Sequence, residues 1–194
     1  AITGFEVLSL GALANSANIV TDTLGLNSKI ITAGVSSSNA ATISGLAAGA
    51  EVTIASSSGS GTLTLALDVA TGSDDVINLK TNSDGNLTVA DIIKVVDVET
   101  VNLNAVDKFV DVTDAKDEFG ANIADGKDDT NSEQSFILDI DEAATLNVTG
   151  SADVTVNILD TTGASSANAN LTTLVDASEL TGKFTFIADG KPAG

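Results

Sequence analysis

The chain has no cysteine, histidine, methionine, tryptophan or tyrosine, and its eight basic residues are all lysine. Without cysteine there is no disulfide, no thiolate chemistry and no Cys-based metal centre. Without His, Cys or Arg, nucleophile activation and oxyanion stabilisation fall to lysine or backbone groups alone. Paired carboxylates could serve glycoside hydrolysis, but sugar-processing clefts generally offer aromatic platforms and the only aromatics here are phenylalanines. The expectation is a protein that is not an enzyme.

Opposite charge is scarce as well. Twenty-seven acids face those eight lysines, a formal net charge of −19. Nucleic acid is a poor partner for such a field, because binding it means neutralising phosphates with Lys and Arg. Divalent cations are a good one, and in an exported protein without disulfides oxygen-ligated Ca²⁺ is the expected source of extra stability. No apolar run reaches the length of a membrane span, so no membrane insertion is expected, and the first residues carry no signal-peptide pattern. A start without Met is what a piece of a longer protein would have.

What remains is aliphatic and β-patterned. Apolar and polar residues alternate in GFEVLSL (4–10), AEVTIA (50–55), GTLTLAL (61–67), VETVNLNA (98–105), ATLNVTG (144–150), DVTVNIL (153–159) and KFTFIA (183–188), the period-two signature of strands. Turn clusters such as SSSGSG (56–61), TGSDD (71–75) and TTGASSANAN (161–170) separate them. VADIIKVVDVE (89–99) reads as strand or as a helical turn, its β-branched content favouring strand. Short strands with little aromatic filling suit regular stacking better than a thick core. The fold expected is all-β, a β-solenoid or solenoid-like stack of short strands, with a β-sandwich of one or two domains as the alternative. Phe5–Leu10 matches Val98–Leu103 in pattern 93 residues later, a spacing that suggests a larger module used twice.

Acids are unevenly placed. Residues 1–60 carry three acids and one Lys, whereas 107–142 carry twelve acids and three Lys. The expected organisation is a β-rich module over 1–106, an acidic loop insertion over 107–135, and a β-rich module over 136–194 that continues the same stack. Within the insertion Asp107, Asp111, Asp114, Asp125, Asp128 and Asp129 are candidate calcium ligands, since Ca²⁺ takes six to eight hard oxygens; a solvated acidic loop is the plainer reading. A second candidate group is Asp74 and Asp75, delivered by a Gly turn to a strand start, with Asp97 or Glu99 as partner if the strands lie side by side. There the alternative is a turn in which carboxylates accept backbone N–H groups. NSDGNLTVAD (82–91) imitates a helix–loop–helix calcium loop, but Lys80 stands at its leading position and the twelfth residue is Asp91, not Glu. It reads instead as a β-turn with Gly85 at positive φ.

The stretches GFEVLSLGALA, SGLAAGAEVTIA, GSGTLTLAL, DVINLKTNSDGNL, VETVNLNA and LTTLVDASELTGKFTFIA, in that order, resemble the surface-layer proteins that Gram-negative bacteria export by type I secretion, and the related repeats-in-toxin type adhesins. The closing stretch places Asp176 and Ser178 at a turn between strands. The resemblance implies a Ca²⁺-dependent, β-rich, often solenoidal protein, secreted to the extracellular cell surface and assembled with copies of itself into a lattice. Cell-surface polysaccharide would be a further partner, contacted through regions outside this sequence. A calcium-stiffened extender or binding domain of a large secreted adhesin is the alternative role. The Gly- and Asp-rich nonapeptide of repeats-in-toxin proteins is missing, so its ligand positions have no counterpart here.

Overall fold

A computed structural model describes residues 6–36, 38–56, 60–83, 85–107, 132–140, 143, 145–159 and 174–189. The described chain is nearly all β, in two parallel sheets of seven strands each. The odd sheet orders β1 (Leu8–Leu10), β3 (Lys29–Thr32), β5 (Glu51–Ile54), β7 (Val76–Ser83), β9 (Thr100–Asp107), β11 (Thr145–Gly150) and β13 (Leu174–Asp176) side by side. The even sheet orders β2 (Ala17–Val20), β4 (Ala40–Leu46), β6 (Thr62–Leu67), β8 (Leu87–Val96), β10 (Glu133–Asp139), β12 (Asp153–Leu159) and β14 (Phe184–Asp189) in the same way. Consecutive strands therefore fall in opposite sheets, and each pairs in parallel with the strand two places on. The one described helix is a single turn, α1 (Thr21–Leu24), closed by Gly25 in the left-handed conformation.

Alternation in the sequence becomes stacking in space. In the odd sheet Ile30, Val52, Leu79, Leu103 and Val148 share one register position, and all are buried. In the even sheet Ala41, Leu63, Ile93, Leu138 and Ile158 do the same. The inward residues of both sheets form one continuous apolar cluster, each large member contributing about 1.5–3 kcal/mol by leaving water. Small aliphatic side chains suffice because the layer between the sheets is filled by columns of like residues.

The sharp bends depend on glycine. A Cβ on Gly150, whose φ is +116°, would lie 2.1 Å from the carbonyl oxygen of Ala105 on the neighbouring pass. Gly45, at φ +72°, marks a register shift between β4 and β6. In β8 the irregularity is larger: Phe136 pairs with Val89 and Ile137 with Ile92, so Ala90 and Asp91 are extra residues on that strand, a bulge of the kind that re-aims a side chain.

The 93-residue similarity links β1 and β9, two strands of the same sheet, with the matched residues offset by two positions: Leu8, not Leu10, shares the column of Leu103, reached through Ile30, Val52 and Leu79. One expectation is corrected. Gly85 is not at positive φ; Ser83 Oγ donates to its carbonyl at 2.7 Å instead, a side-chain turn that asks nothing unusual of the backbone. The segment over 89–99 is strand through Val96, followed by Asp97 at φ +55°. Strands β9 and β10 stand on either side of the acidic stretch and pair within the sheets that precede it, β10 with β8 and β11 with β9. Strand begins at Glu133, within the span expected to be loop.

Candidate functional site

The outward face of the odd sheet carries a polar groove of about 560 Å³. Along it runs a row at one register position, Glu51, Asn78, Asn102, Asn147 and Asp176, which Lys29 continues beyond the groove. Parallel neighbours lie about 4.8 Å apart, close enough for carboxamides to bond along the row. Asn147 Nδ2 donates to Asn102 Oδ1 at 2.9 Å, Asn102 Nδ2 to Asn78 Oδ1 at 2.8 Å, and Asn78 Nδ2 to the Gly49 carbonyl at 2.8 Å. The ladder is therefore polarised, with every amide pointing toward β5.

Its two ends differ in charge. At one end Glu51 lies between Lys29 at 3.3 Å and Lys80 at 3.7 Å, a half-exposed, net positive group of little stabilising value. At the other end Asp176 sits opposite Asn147, with Ser178 and Glu179 on the same rim. The Asp176 carboxyl is held below its ordinary value by the Ser178 hydroxyl and then by the Ser178 N–H, which donates to Oδ1 at 2.9 Å. This is the strand-end turn expected at Asp176 and Ser178.

The acids read from the sequence are distributed differently. Strands β7 and β9 do lie side by side, and Glu99 reaches Asp75, but through the backbone: its Oε2 accepts the Asp75 N–H at 2.9 Å. Asp74 and Asp97 are exposed. Asp107 ends β9 and its Oδ2 accepts the Ser132 N–H at 2.6 Å. Asp111, Asp114, Asp125, Asp128 and Asp129 lie outside the described residues. Among the described residues no group of three or more acids is gathered as a metal site would require.

Two buried polar groups tie the structure together. Asp91, at the β8 bulge and fully buried, accepts the Val35 N–H at 2.7 Å through Oδ2 and the Gly61 N–H at 2.8 Å through Oδ1. Gln134 of the even sheet accepts the Thr81 hydroxyl and donates to the Val106 carbonyl at 3.0 Å, both in the odd sheet. The asparagine ladder escaped the sequence reading although a signal existed: Ile77-Asn78-Leu79, Val101-Asn102-Leu103 and Leu146-Asn147-Val148 each place Asn between two inward apolar residues.

Compared with known proteins, the chain matches no family model, no curated protein and no solved structure.

Proposed function

We propose that the chain is a structural segment of a secreted bacterial surface-layer protein, wound as a β-solenoid, stabilised by Ca²⁺ and assembling with copies of itself. The strand order carries this reading. Strands alternate between two parallel sheets and each pairs with the second-next strand, which is the order a coiling chain produces. Strands β1, β2, β13 and β14 each have a described neighbour on one side only, and unpaired edges template further pairing. The broad outer faces and the edges are thus the surfaces on which neighbouring subunits would sit.

Calcium enters through the acidic stretch. Asp111, Asp114, Asp125, Asp128 and Asp129 supply the hard oxygens that Ca²⁺ prefers, and an ion there relieves their mutual repulsion. Folding and assembly then follow the calcium concentration, low inside the cell and high outside. Thermal unfolding in excess EGTA, in millimolar Ca²⁺ and in Mg²⁺, with particle size followed by light scattering, tests this. The expected result is a Ca²⁺-specific rise in the midpoint with growth in particle size. Equal midpoints in EGTA and Ca²⁺ would leave the acids as solvating charge and remove the mechanism.

A further inference from the structure

We infer that the groove on the odd sheet is a binding site for an extended glycan, with a preference for one that bears amino groups. The inference stands apart from the calcium-dependent surface role and concerns different residues. A carboxamide has two donor hydrogens and two acceptor lone pairs. In the ladder Asn102 spends one of each on its neighbours, and Asn78 spends one donor on Gly49 and one lone pair on Asn102. These bonds leave each with one donor and one acceptor uncommitted, on side chains that line the groove. A hydroxyl, itself donor and acceptor, satisfies that pair, and a chain of sugar rings lying across the strands presents hydroxyls at regular intervals to amides spaced about 4.8 Å apart.

The ladder's polarity sets the direction of the ligand. Asn147 gives its amide to Asn102, which leaves its Oδ1 as an acceptor at the end where Asp176 is its register partner. Asp176 commits Oδ1 to the Ser178 N–H, and Glu179 adds a second carboxylate at this rim. The end is rich in acceptors, and an ammonium, with three donors and no acceptor, complements it. The opposite end sets two lysines, Lys29 and Lys80, against the single carboxylate of Glu51, a net positive charge that does not attract an ammonium. A net charge of −19 disfavours anionic polymers. Among the described lining residues none is aromatic, so single-site affinity is low and a longer glycan with several contacts binds more tightly.

The test is side-chain amide NMR of the full chain titrated with three probes: a chitosan tetramer, its fully N-acetylated counterpart and an oligogalacturonate. The expected result is perturbation of the Asn78, Asn102 and Asn147 amides by the chitosan tetramer, weaker perturbation by the neutral tetramer and none by the acidic one. Asn102→Ser abolishes the response to both binding probes with the unfolding midpoint retained. Asp176→Asn weakens the chitosan tetramer several-fold and leaves the neutral probe unchanged. Silence of the groove amides, a response that survives Asn102→Ser, or equal binding of the acidic probe would overturn the proposal. So would methylamine acting as strongly as the chitosan tetramer, since an ammonium alone would then explain the site. Should Asn102→Ser fail to fold, Asp176→Asn on the exposed rim still decides the amine preference.

Discussion

Asp107 Oδ2 accepts the backbone N–H of Ser132 at 2.6 Å, and this bond joins the two sides of the acidic stretch. The Asp107 N–H donates to Ser151 Oγ at 3.0 Å, on the turn after β11. The residue that closes the strand is thus a clasp between the end of β9 and the start of β10. A carboxylate accepting a backbone N–H is a charge-assisted bond, stronger than a neutral one.

Replacing Asp107 by Ala is expected to lower stability by about 1.5–3 kcal/mol, read from urea unfolding. Asp107→Asn keeps a carbonyl oxygen as acceptor and loses less. The loss is the same in EGTA and in Ca²⁺, because the clasp is internal to the protein. A loss seen only with Ca²⁺ present would make Asp107 an ion ligand instead.

Asp176 gives a prediction in pH. Its carboxyl is held below its ordinary value of 3.8 by the Ser178 hydroxyl and N–H. A lowered folded-state value means that the bond's contribution is fully present above the unfolded value and is lost as pH falls through the lower folded one, so the change lies below about pH 3.8. Ser178→Ala removes the hydroxyl and leaves the N–H, so the Asp176 titration moves part of the way back up. Carboxyl chemical shifts followed through acid titration measure both. A Ser178→Ala midpoint unchanged from that of the parent protein would show that the hydroxyl plays no part.

Period-two alternation made most of the strands legible, from AEVTIA to DVTVNIL, because a strand with one buried face must alternate. Strands β3 and β4 were harder to see. KIIT is only four residues long, and AATISGL opens on alanines and carries Gly45 at its register shift. The pairing itself was hidden: inward Leu, Ile and Val are interchangeable from pass to pass, and the passes differ in length, 22 residues from Ile30 to Val52 but 27 from Val52 to Leu79. No fixed period survives that variation. The ladder residues needed knowledge of which strands share a sheet, since Val156-Asn157-Ile158 has the same triplet as Asn78, Asn102 and Asn147 yet lies in the even sheet. Acid clustering singled out Asp75, Glu99 and Asp107 but not that the Glu99 and Asp107 carboxylates accept backbone N–H groups; composition gives carboxylates no direction.

Asp91 shows the same limit from the other side, and carries the last prediction. Its position in VADIIKVV breaks the alternation, with a charge where an inward apolar residue belongs. The bulge turns that defect into a junction: with both oxygens occupied by the N–H groups of Val35 and Gly61, one buried carboxylate satisfies two donors that precede or follow separate strands. Asp91→Ala leaves both buried N–H groups without this acceptor, at about 1–3 kcal/mol each. Asp91→Asn is expected to recover less than half of the loss, because its amide hydrogens face a donor that the second carboxylate oxygen had accepted. Urea unfolding with an unchanged slope and a lowered midpoint is the expected reading. A parent-like midpoint for Asp91→Asn would mean that one acceptor is enough and that the charge at this junction is incidental.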